Sequence, residues 1–394
     1  MIPRMTTPLL DELRAGYPVI TITGPRQSGK TTLARAAFPD KPYVSLETPD
    51  EREFAATDPR SFLARWPSGA IIDEVQHVPQ LFSWIQTDVD ASGQMGRYVL
   101  TGSQNFALMA NISQSLAGRS ALVQLLPLSI AELAAAGQLP ADLDAMLLRG
   151  GYPALYARTL SPARWLADYT MSYLERDVRQ ITQVQDLSAF QRFLRLCAGR
   201  TGQLLNLSNL AQDAGIAQTT ARAWMSVLEA SYIVFLLQPH HRNLGKRIVK
   251  MPKLYFLDTA LAASLMGIQT TTQLSIHPLR GALFETLIVS EFLKARFNAG
   301  FASNLFFWRD NVGLEVDLLL DEPEGLFPIE IKSSATVTDD LFKGLRKWLA
   351  VAGDVARLPR LVCAVPTSYQ REGIHVRRWQ EASQSLPESV DVTR

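Results

Sequence analysis

The chain has few cysteines, and the two it contains lie far apart. Cys197 and Cys363 are the only cysteines among 394 residues. Two such residues build neither a disulfide framework nor a thiolate metal cage, and so sparse a use of cysteine is typical of a reducing compartment. We therefore expect a cytoplasmic protein.

Net charge and long apolar runs are also lacking. Lysine and arginine number 39, aspartate and glutamate 38, and the formal net charge is +1. A chain this close to neutrality has no overall field that attracts nucleic acid or anionic lipid, so such binding requires a local patch. The most apolar run, residues 232–237, is too short to span a bilayer, and the N-terminus lacks the apolar core of a signal peptide. We expect no membrane partner.

The composition is that of a folded protein with more than one domain. Apolar residues make up 47% of the chain and charged residues 20%, which is far from a disordered composition. Because 394 residues exceed what one hydrophobic core ordinarily holds, two or three domains are expected.

The strongest local signal is a glycine-rich loop at residues 24–32, which satisfies the pattern G-x-x-x-x-G-K-[ST]. A β-branched run at 19–22 precedes it and a helical segment follows, which is the context of a phosphate-binding loop. Lys30 would contact the β- and γ-phosphates and Thr31 would bind Mg²⁺. The alternative is a chance glycine turn between a strand and a helix. The predicted nucleotide-binding residues are Gly24, Pro25, Arg26, Gln27, Ser28, Gly29, Lys30, Thr31 and Thr32.

A second motif follows about forty residues later, where a short apolar run at 70–72 ends in Asp73 and Glu74. The carboxyl ends of parallel strands are where an α/β sheet binds its ligand. We predict that Asp73 holds Mg²⁺ through water and that Glu74 is the general base that polarises the attacking water. The alternative is a solvated strand end.

Two further positions are candidates for sensing the γ-phosphate. A strand at 97–104 ends in Ser103 and Gln104, of which one would serve as the sensor; the alternative is a turn with a helix cap at Ser103. Arg119 follows Gly118 and could stabilise transition-state charge, in its own site or in that of a neighbouring chain. Its alternative is an ordinary surface arginine.

Together these motifs resemble a large prokaryotic group of AAA+ ATPases that carry a C-terminal domain of unknown function. The resemblance implies ATP and Mg²⁺ as cofactors and an α/β fold with a parallel P-loop sheet. It also implies three segments: an AAA+ ATPase domain at 1–130, a helical and winged-helix-like region at 131–270, and a nuclease-like domain with a polar tail at 271–394. The segments that carry the resemblance are 24–32, 72–76, 100–104, 116–119, 126–128, 150–153, 173–178 and 254–259.

The middle region reads as helical, with a basic stretch. One amphipathic helix is predicted over 162–181. A helix-turn-helix pattern is predicted from residue 207 onward, with a turn at Gly215 and a second helix that begins at Thr219 or Thr220. A strand and a basic segment follow, as the wing of a winged helix would. This segment either contacts DNA phosphates or is a solvated face of a packing module. Its basic residues are His240, His241, Arg242, Lys246, Arg247, Lys250 and Lys253.

A Thr-rich linker at 270–273 leads into a C-terminal segment whose charged residues recur on predicted strands. Glu285 lies among the apolar positions of a predicted helix, which is unusual for a carboxylate unless it is paired or binds a ligand. Alternation along a strand puts Glu330 and Lys332 on one face, and a neighbouring strand would bring Asp317 beside them. From about residue 376 the tail is polar and is predicted to be disordered.

This arrangement resembles the PD-(D/E)XK nuclease superfamily. By that resemblance Asp317 and Glu330 are ligands of a divalent cation and Glu285 is an auxiliary acid of the same metal site. Lys332 would then be the catalytic lysine, which orients or deprotonates the attacking water. The alternative for each residue is an ordinary ion pair.

The leading prediction is a cytoplasmic ATPase whose nucleotide state positions a nuclease-like domain, with DNA as a candidate partner. If Arg119 acts on a neighbouring chain, the working unit is a homo-oligomer. The rival prediction is a nucleotide-dependent protein-binding switch in which the nuclease fold is only a docking module. A third is a purely structural use of the C-terminal acids.

Overall fold

Two β-sheets organise the computed structural model, which describes residues 2–103, 115–174, 186–240 and 249–384. The described strands are β1 (Val19–Thr23), β2 (Tyr43–Ser45), β3 (Ile71–Asp73), β4 (Tyr98–Gly102), β5 (Ser120–Gln124), β6 (Gln203–Leu204), β7 (Val234–Pro239), β8 (Lys253–Phe256), β9 (Leu305–Arg309), β10 (Glu315–Glu322), β11 (Gly325–Lys332), β12 (Arg360–Cys363), β13 (Tyr369–Arg371) and β14 (Ile374–Arg378).

Helices connect and cover these strands. The described α-helices are α1 (Thr7–Gly16), α2 (Lys30–Ala37), α3 (Pro49–Thr57), α4 (Pro59–Ala64), α5 (Leu81–Ser92), α6 (Ile130–Ala135), α7 (Leu143–Arg149), α8 (Ala154–Ala157), α9 (Pro162–Tyr169), α10 (Leu187–Ala198), α11 (Leu207–Ala214), α12 (Gln218–Ala230), α13 (Thr259–Leu265), α14 (Thr271–Ser275), α15 (Arg280–Asn298) and α16 (Asp340–Ala352). Among the described residues, none of these helices combines the length and the apolar surface that crossing a bilayer requires.

The first sheet is parallel throughout, with the strand order β2-β3-β4-β1-β5. Helices α1 and α2 pack on one face and α4 and α5 on the other, so every residue of β1 and β4 is buried. Because β4 is inserted between β1 and β3, the carboxyl ends of these three strands lie side by side. The predicted α/β class is confirmed.

The second sheet has nine strands in the order β13-β14-β12-β11-β10-β9-β7-β8-β6. Its middle joins the two predicted C-terminal segments, since β7 pairs in parallel with β9. One hydrophobic core underlies both segments and contains, for example, Trp224 and Phe292. The predicted boundary near residue 270 therefore separates two segments that share one sheet and one core.

The two helices of the predicted helix-turn-helix pattern are present as α11 and α12, although the second begins at Gln218 and not at Thr219 or Thr220. Gly215 ends α11 in the left-handed conformation, with φ +69°, which glycine adopts without steric cost. Three local predictions differ from the structure. The helix predicted over 162–181 is α-helical only to Tyr169 and continues as a π-helix over Thr170–Leu174, while 175–181 lie outside the described residues.

The other two differences concern segments that were predicted to lack structure. The Thr-rich linker forms α14, because the Thr270 hydroxyl and the Gln273 side chain complete a capping box at its first turn. The polar tail remains ordered beyond residue 376, since Trp379 and Ala382 are buried in the core of the second sheet. Residues 385–394 lie outside the described part of the chain.

Candidate functional site

The loop that follows β1 has the backbone of a phosphate cradle. Gly24 has φ +149°, and a Cβ there would lie 2.1 Å from the carbonyl oxygen of Leu125, so only glycine fits. Gln27 and Gly29 also have positive φ angles, of +63° and +93°. Alternation between right- and left-handed conformations turns successive amide N–H groups toward one point, where an anion binds. The N-terminus of α2 follows directly and favours negative charge.

Two side chains of this loop fit a phosphate group. The Lys30 ammonium is buried within the loop and donates to the carbonyl oxygens of Gly24 and Pro25 at 3.0 and 2.9 Å. The Ser28 hydroxyl is buried and has no hydrogen-bond partner within the described ranges. A phosphate oxygen would accept hydrogen bonds from both groups, so the residues present fit a nucleotide polyphosphate.

Asp73 lies at the end of β3 and accepts hydrogen bonds from hydroxyl groups on three other elements. Its Oδ2 accepts from the Thr31 hydroxyl at 3.0 Å and from the Tyr43 hydroxyl at 2.8 Å, while Oδ1 accepts from Thr101. Burial, together with this bond to Asp73, raises the pKa of Tyr43 to about 12, which keeps the phenol a neutral donor. A carboxylate beside the threonine of the loop is the ligand pair that Mg²⁺ requires at such a site.

Glu74 follows Asp73 in the left-handed conformation, with φ +55°. The Ser103 hydroxyl at the end of β4 donates to Glu74 Oε2 at 3.1 Å, and the Gln76 amide donates to the same oxygen. Ser103 therefore reaches the predicted general base, because β4 lies next to β3. Gln104, the other candidate sensor, lies outside the described residues.

Arg119 lies at the amino ends of the strands of the first sheet, opposite the carboxyl ends that carry the phosphate-binding loop. Its carbonyl oxygen accepts from the amide of Val19, at the start of β1, and its guanidinium pairs with Asp90 at 2.5 and 2.9 Å. The five residues of β1 separate it from Gly24 by about 16 Å at ~3.3 Å per residue. The structure therefore places Arg119 away from the phosphate-binding loop of its own chain. Action on a neighbouring chain stays a prediction, and its alternative is an ordinary surface arginine paired with Asp90.

Sequence patterns gave no sign that Arg4 belongs to this site. Its guanidinium donates to the carbonyl oxygen of Ser28 at 2.8 Å and to that of Leu126 at 2.6 Å, and it pairs with Glu132 at 2.9 Å. The side chain is only 8% exposed. Because Arg4 fixes the carbonyl of the peptide between Ser28 and Gly29, it also fixes the direction of the Gly29 N–H.

Arg4→Ala is expected to weaken nucleotide binding about tenfold, the net contribution of one charge-assisted hydrogen bond. The loop loses the group that orients its Gly29 amide, although no phosphate ligand is removed. Calorimetric titration with ATP analogues, well below the melting temperature, measures the effect. Arg14→Ala is the matched control, because that arginine is 52% exposed and pairs only weakly with Asp11. Equal affinities in the two variants would contradict the assignment.

Tyr232, two residues before β7 of the second sheet, contacts the first sheet. The Tyr232 hydroxyl lies 3.1 Å from that of Thr23, at the end of β1, and accepts from the Gln124 amide, at the end of β5, at 3.2 Å. Tyr232 has φ +54°, which is uncommon for an aromatic residue and aims the side chain at these strand ends. The carboxyl ends of β1 and β5, next to the phosphate-binding loop, are therefore in direct contact with this region of the chain.

The C-terminal candidates gather on β10 and β11. These strands pair antiparallel with Leu318 opposite Ile329, which places Asp317 beside Glu330. The Lys332 ammonium lies 3.0 Å from Asp317 Oδ2 and 2.6 Å from Glu330 Oε1. The structure thus brings Asp317, Glu330 and Lys332 together.

Glu330 carries an atom for which the described part of the chain offers no partner: its Oε2 is buried without a hydrogen bond. Burial, and next to it the charge of Asp317, raises the pKa of Glu330 to about 8. Burial alone would lower the pKa of Lys332, but Asp317 and Glu330 outweigh it and raise that pKa. The single ammonium of Lys332 does not balance two ionised carboxylates, and a divalent cation would supply the missing positive charge.

Glu285 is not joined to this pair. Its Oε1 binds the Lys253 ammonium at 2.8 Å and accepts from the Tyr255 hydroxyl at 2.5 Å. Within the described residues, ligand oxygens of Glu285, Asp317 and Glu330 do not all lie within 4.8 Å of one another. Burial raises the pKa of Glu285, Lys253 lowers it and Asp317 raises it further. Glu285 is therefore not placed to bind the same cation directly as Asp317 and Glu330.

Lys253 and His240 are not exposed wing residues, contrary to the prediction. Lys253 is 3% exposed, and besides Glu285 it binds Glu315 at 2.5 Å. His240 is buried and its Nε2 lies 3.0 Å from Asp321. Both were misassigned because tertiary pairing buries them: Lys253 lies in β8 between β6 and β7, and His240 directly follows β7 and donates its amide to Phe307 of β9. Lys250 is exposed, and residues 241–248 lie outside the described ranges.

Known domain families match the chain in three consecutive stretches: an AAA domain at residues 16–134, a domain of unknown function (DUF8612) at 140–272 and a domain of unknown function (DUF4143) at 280–380. Two curated relatives are the uncharacterized proteins Mb2031c of Mycobacterium bovis and Rv2008c of Mycobacterium tuberculosis. Each is 32% identical over 325 residues, which cover 81% of this chain and 71% of the relative.

Several solved structures are also similar in part. The Walker-type ATPase PABY2304 of Pyrococcus abyssi is 16% identical, with a TM-score of 0.47 over 67% of this chain and 96% of that one. The Holliday junction branch migration motor RuvB of Thermotoga maritima is 16% identical, with a TM-score of 0.30 over 58% and 88%. AMPPCP-bound DnaA of Aquifex aeolicus is 14% identical, with a TM-score of 0.29 over 57% and 85%. None of these likenesses bears on substrate.

Proposed function

This chain belongs to the family of the uncharacterized mycobacterial proteins Mb2031c and Rv2008c and carries an AAA-type P-loop ATPase domain, and from that premise we propose a coupled function. The protein hydrolyses ATP in the cytoplasm, and its nucleotide state controls a divalent-cation-dependent nuclease site in the C-terminal segment. In this proposal the middle region is a winged-helix-like module, and DNA is the substrate.

In this proposal each polar residue of the nucleotide site has a specific role. Lys30 and the loop amides bind the β- and γ-phosphates, and Thr31 and Asp73 hold Mg²⁺, which neutralises charge on the phosphates. Glu74 takes the proton of the attacking water, and Ser103 orients the Glu74 carboxylate. If Arg119 stabilises the transition state, it does so on a neighbouring chain of a homo-oligomer.

In the C-terminal segment, Asp317 and Glu330 hold the cation and Lys332 orients the attacking water next to the phosphodiester. The observation that carries this proposal is the buried Glu330 Oε2, for which the described residues provide no donor. An unpaired buried carboxylate oxygen is costly, and it persists where a ligand completes the site.

The coupling is supported by the chain that connects the two sites. Tyr232 touches the end of β1 and lies two residues before β7. In the next strand, Tyr255 pairs with Phe235 of β7, with the two rings stacked at 5.5 Å. The Tyr255 hydroxyl then donates to Glu285. A shift of β7 on nucleotide binding would therefore move a residue that contacts the C-terminal cluster.

Tyr232→Phe is expected to uncouple the sites while sparing ATP binding. The substitution removes only the hydroxyl that bridges Thr23 and Gln124. Hydrogen exchange of the β8 amides, measured with and without ATP, should respond to nucleotide in the parent protein and not in the variant. Tyr369→Phe, at a tyrosine that is 43% exposed, is the control. An unchanged response in Tyr232→Phe would contradict this route.

The function is tested by incubating the purified protein with supercoiled, linear and single-stranded DNA in Mg²⁺ or Mn²⁺, with and without ATP. We expect cleavage that Glu330→Gln abolishes and that ATP alters. Glu324→Gln is the matched control, because Glu324 is exposed in the turn between β10 and β11. Absence of cleavage under every condition, with ATP turnover intact, would overturn the nuclease proposal.

A second candidate is a nucleotide-dependent protein-binding switch with a catalytically inactive nuclease-like segment. One observation favours it: Glu285 is held by Lys253 and Tyr255 and does not join Asp317 and Glu330. Under this candidate the cluster is a set of internal ion pairs, and ATP changes the surface presented to a partner protein. Cross-linking to partners that depends on ATP, without DNA cleavage, would support it.

A further inference from the structure

We propose that the Lys253 ammonium takes the place of a second metal ion in the C-terminal cluster of carboxylates. Lys253 binds Glu285 and Glu315, so that the cluster binds one divalent cation and not two. The inference rests on the proposed cation site at Asp317 and Glu330. It assigns Lys253 a positioning role, since the lysine acts through the carboxylates that it withholds from a metal.

The geometry separates the acids into two sets. Lys253 Nζ lies 2.8 Å from Glu285 and 2.5 Å from Glu315, and the side chain is 3% exposed. Lys332 lies 3.0 Å from Asp317 and 2.6 Å from Glu330, and its side chain is 36% exposed. The first set is therefore closed around a buried ammonium, whereas the second retains the unpartnered Glu330 oxygen within the described chain.

The place that Lys253 occupies is where a second cation would have to bind. Paired metal ions in nucleases lie about 3.5–4 Å apart and share carboxylates. Divalent cations sit about 2.0–2.6 Å from carboxylate oxygens, so an ammonium at 2.5–2.8 Å from both carboxylates excludes an ion at that point. The Tyr255 hydroxyl also donates to Glu285 and further occupies its Oε1.

The net charge of the cluster also favours the binding of one divalent cation. With Glu330 ionised, as cation binding requires, four carboxylates face two ammonium groups and two negative charges remain. One divalent cation neutralises them, whereas a second would leave an excess of positive charge with little solvent to screen it. Arg309 also pairs with Glu315, from the solvent side and with its side chain 38% exposed. With its charge included, one net negative charge remains, which one divalent cation exceeds by one and two cations would exceed by three.

The full chain, free of nucleotide, is titrated with MnCl₂ by calorimetry and by electron paramagnetic resonance of free Mn²⁺. Every sample carries Asp73→Asn and Glu74→Gln, which remove both carboxylates of the nucleotide site and also break the group of possible metal ligands that Glu74 forms with Glu47 and His77. We expect one Mn²⁺ per chain in this parent and one in Lys253→Arg, which keeps the charge. Lys253→Met frees Glu285 and Glu315, and we expect two Mn²⁺. Glu330→Gln should lose the ion.

The outcomes separate this inference from the proposed function. Two Mn²⁺ in the parent would overturn the role of Lys253 while leaving the cation site at Glu330 intact. No Mn²⁺ in the parent, or an ion that survives Glu330→Gln, would overturn the cation site itself. One Mn²⁺ in a folded Lys253→Met variant would also overturn the inference. Circular dichroism checks folding, and the parent titration decides the stoichiometry even if that variant does not fold.

Discussion

Lys30→Ala is expected to lower the affinity for ATP at least ~100-fold, equivalent to about 3 kcal/mol. The Lys30 ammonium is buried inside the loop, where it would form charge-assisted hydrogen bonds to the phosphates in a poorly hydrated environment. Alanine removes both the charge and the donors while leaving the backbone cradle. Titration with a fluorescent ATP analogue and calorimetry with ATP measure the loss.

Two further variants make this result specific. Lys343→Ala is the matched control, because this lysine is 62% exposed and pairs with Asp340 on the same helix. Glu74→Gln should bind ATP as the parent does and lose turnover by ~10²–10⁴-fold, since it removes only the base. ATP affinity that is unchanged in Lys30→Ala would overturn the assignment of the phosphate-binding loop.

The nucleotide loop could be predicted because its function is local in sequence. Residues 24–32 form one continuous segment, and its glycine positions follow from the positive φ angles of that segment, +149° at Gly24 and +93° at Gly29. Asp73 and Glu74 were recognisable for a similar reason, since a short apolar strand ends directly in them. The tasks assigned to individual residues remain predictions.

Contacts between distant parts of the chain had no comparable signal. Arg4 reaches Leu126 and Glu132, and Tyr232 reaches Thr23 across a sequence separation of 209 residues. Lys253 seemed to belong to a solvated basic segment, because nothing in its neighbourhood indicates that β8 is an inner strand, paired with β7 on one side and with β6 on the other. Tertiary pairing, not local pattern, decided its environment.

Arg119 is an intermediate case. The residue directly precedes a parallel strand, and a residue in that position lies at the amino edge of the sheet, away from the carboxyl edge where ligands bind. The strand at 120–124 is short and partly exposed, with the burial of its residues alternating, so its place beside β1 was not evident from the sequence. The strand order of the sheet places Arg119 far from the nucleotide of its own chain.

The second large effect is expected at Lys332. Under the proposed function, Lys332→Met should lower the rate of DNA cleavage by ~10²–10⁴-fold, because the ammonium that orients the attacking water and faces the phosphodiester is lost. Binding of Mn²⁺ should persist, since both carboxylates remain. Cleavage rates under single-turnover conditions and Mn²⁺ calorimetry on the same preparations measure the two quantities. Glu330→Gln, by contrast, should lose both.

Stability provides an independent check on this assignment. Without cation, Lys332→Met leaves Asp317 and Glu330 facing each other with no ammonium between them, so the melting temperature should fall. Saturating Mn²⁺ should restore it, because the ion supplies the missing positive charge and binds only the folded state. Lys347→Met, at an exposed lysine of α16, controls for loss of charge elsewhere. A melting temperature that Mn²⁺ does not raise would mean that the two carboxylates are an internal ion-pair site, which is the arrangement that the protein-binding switch requires.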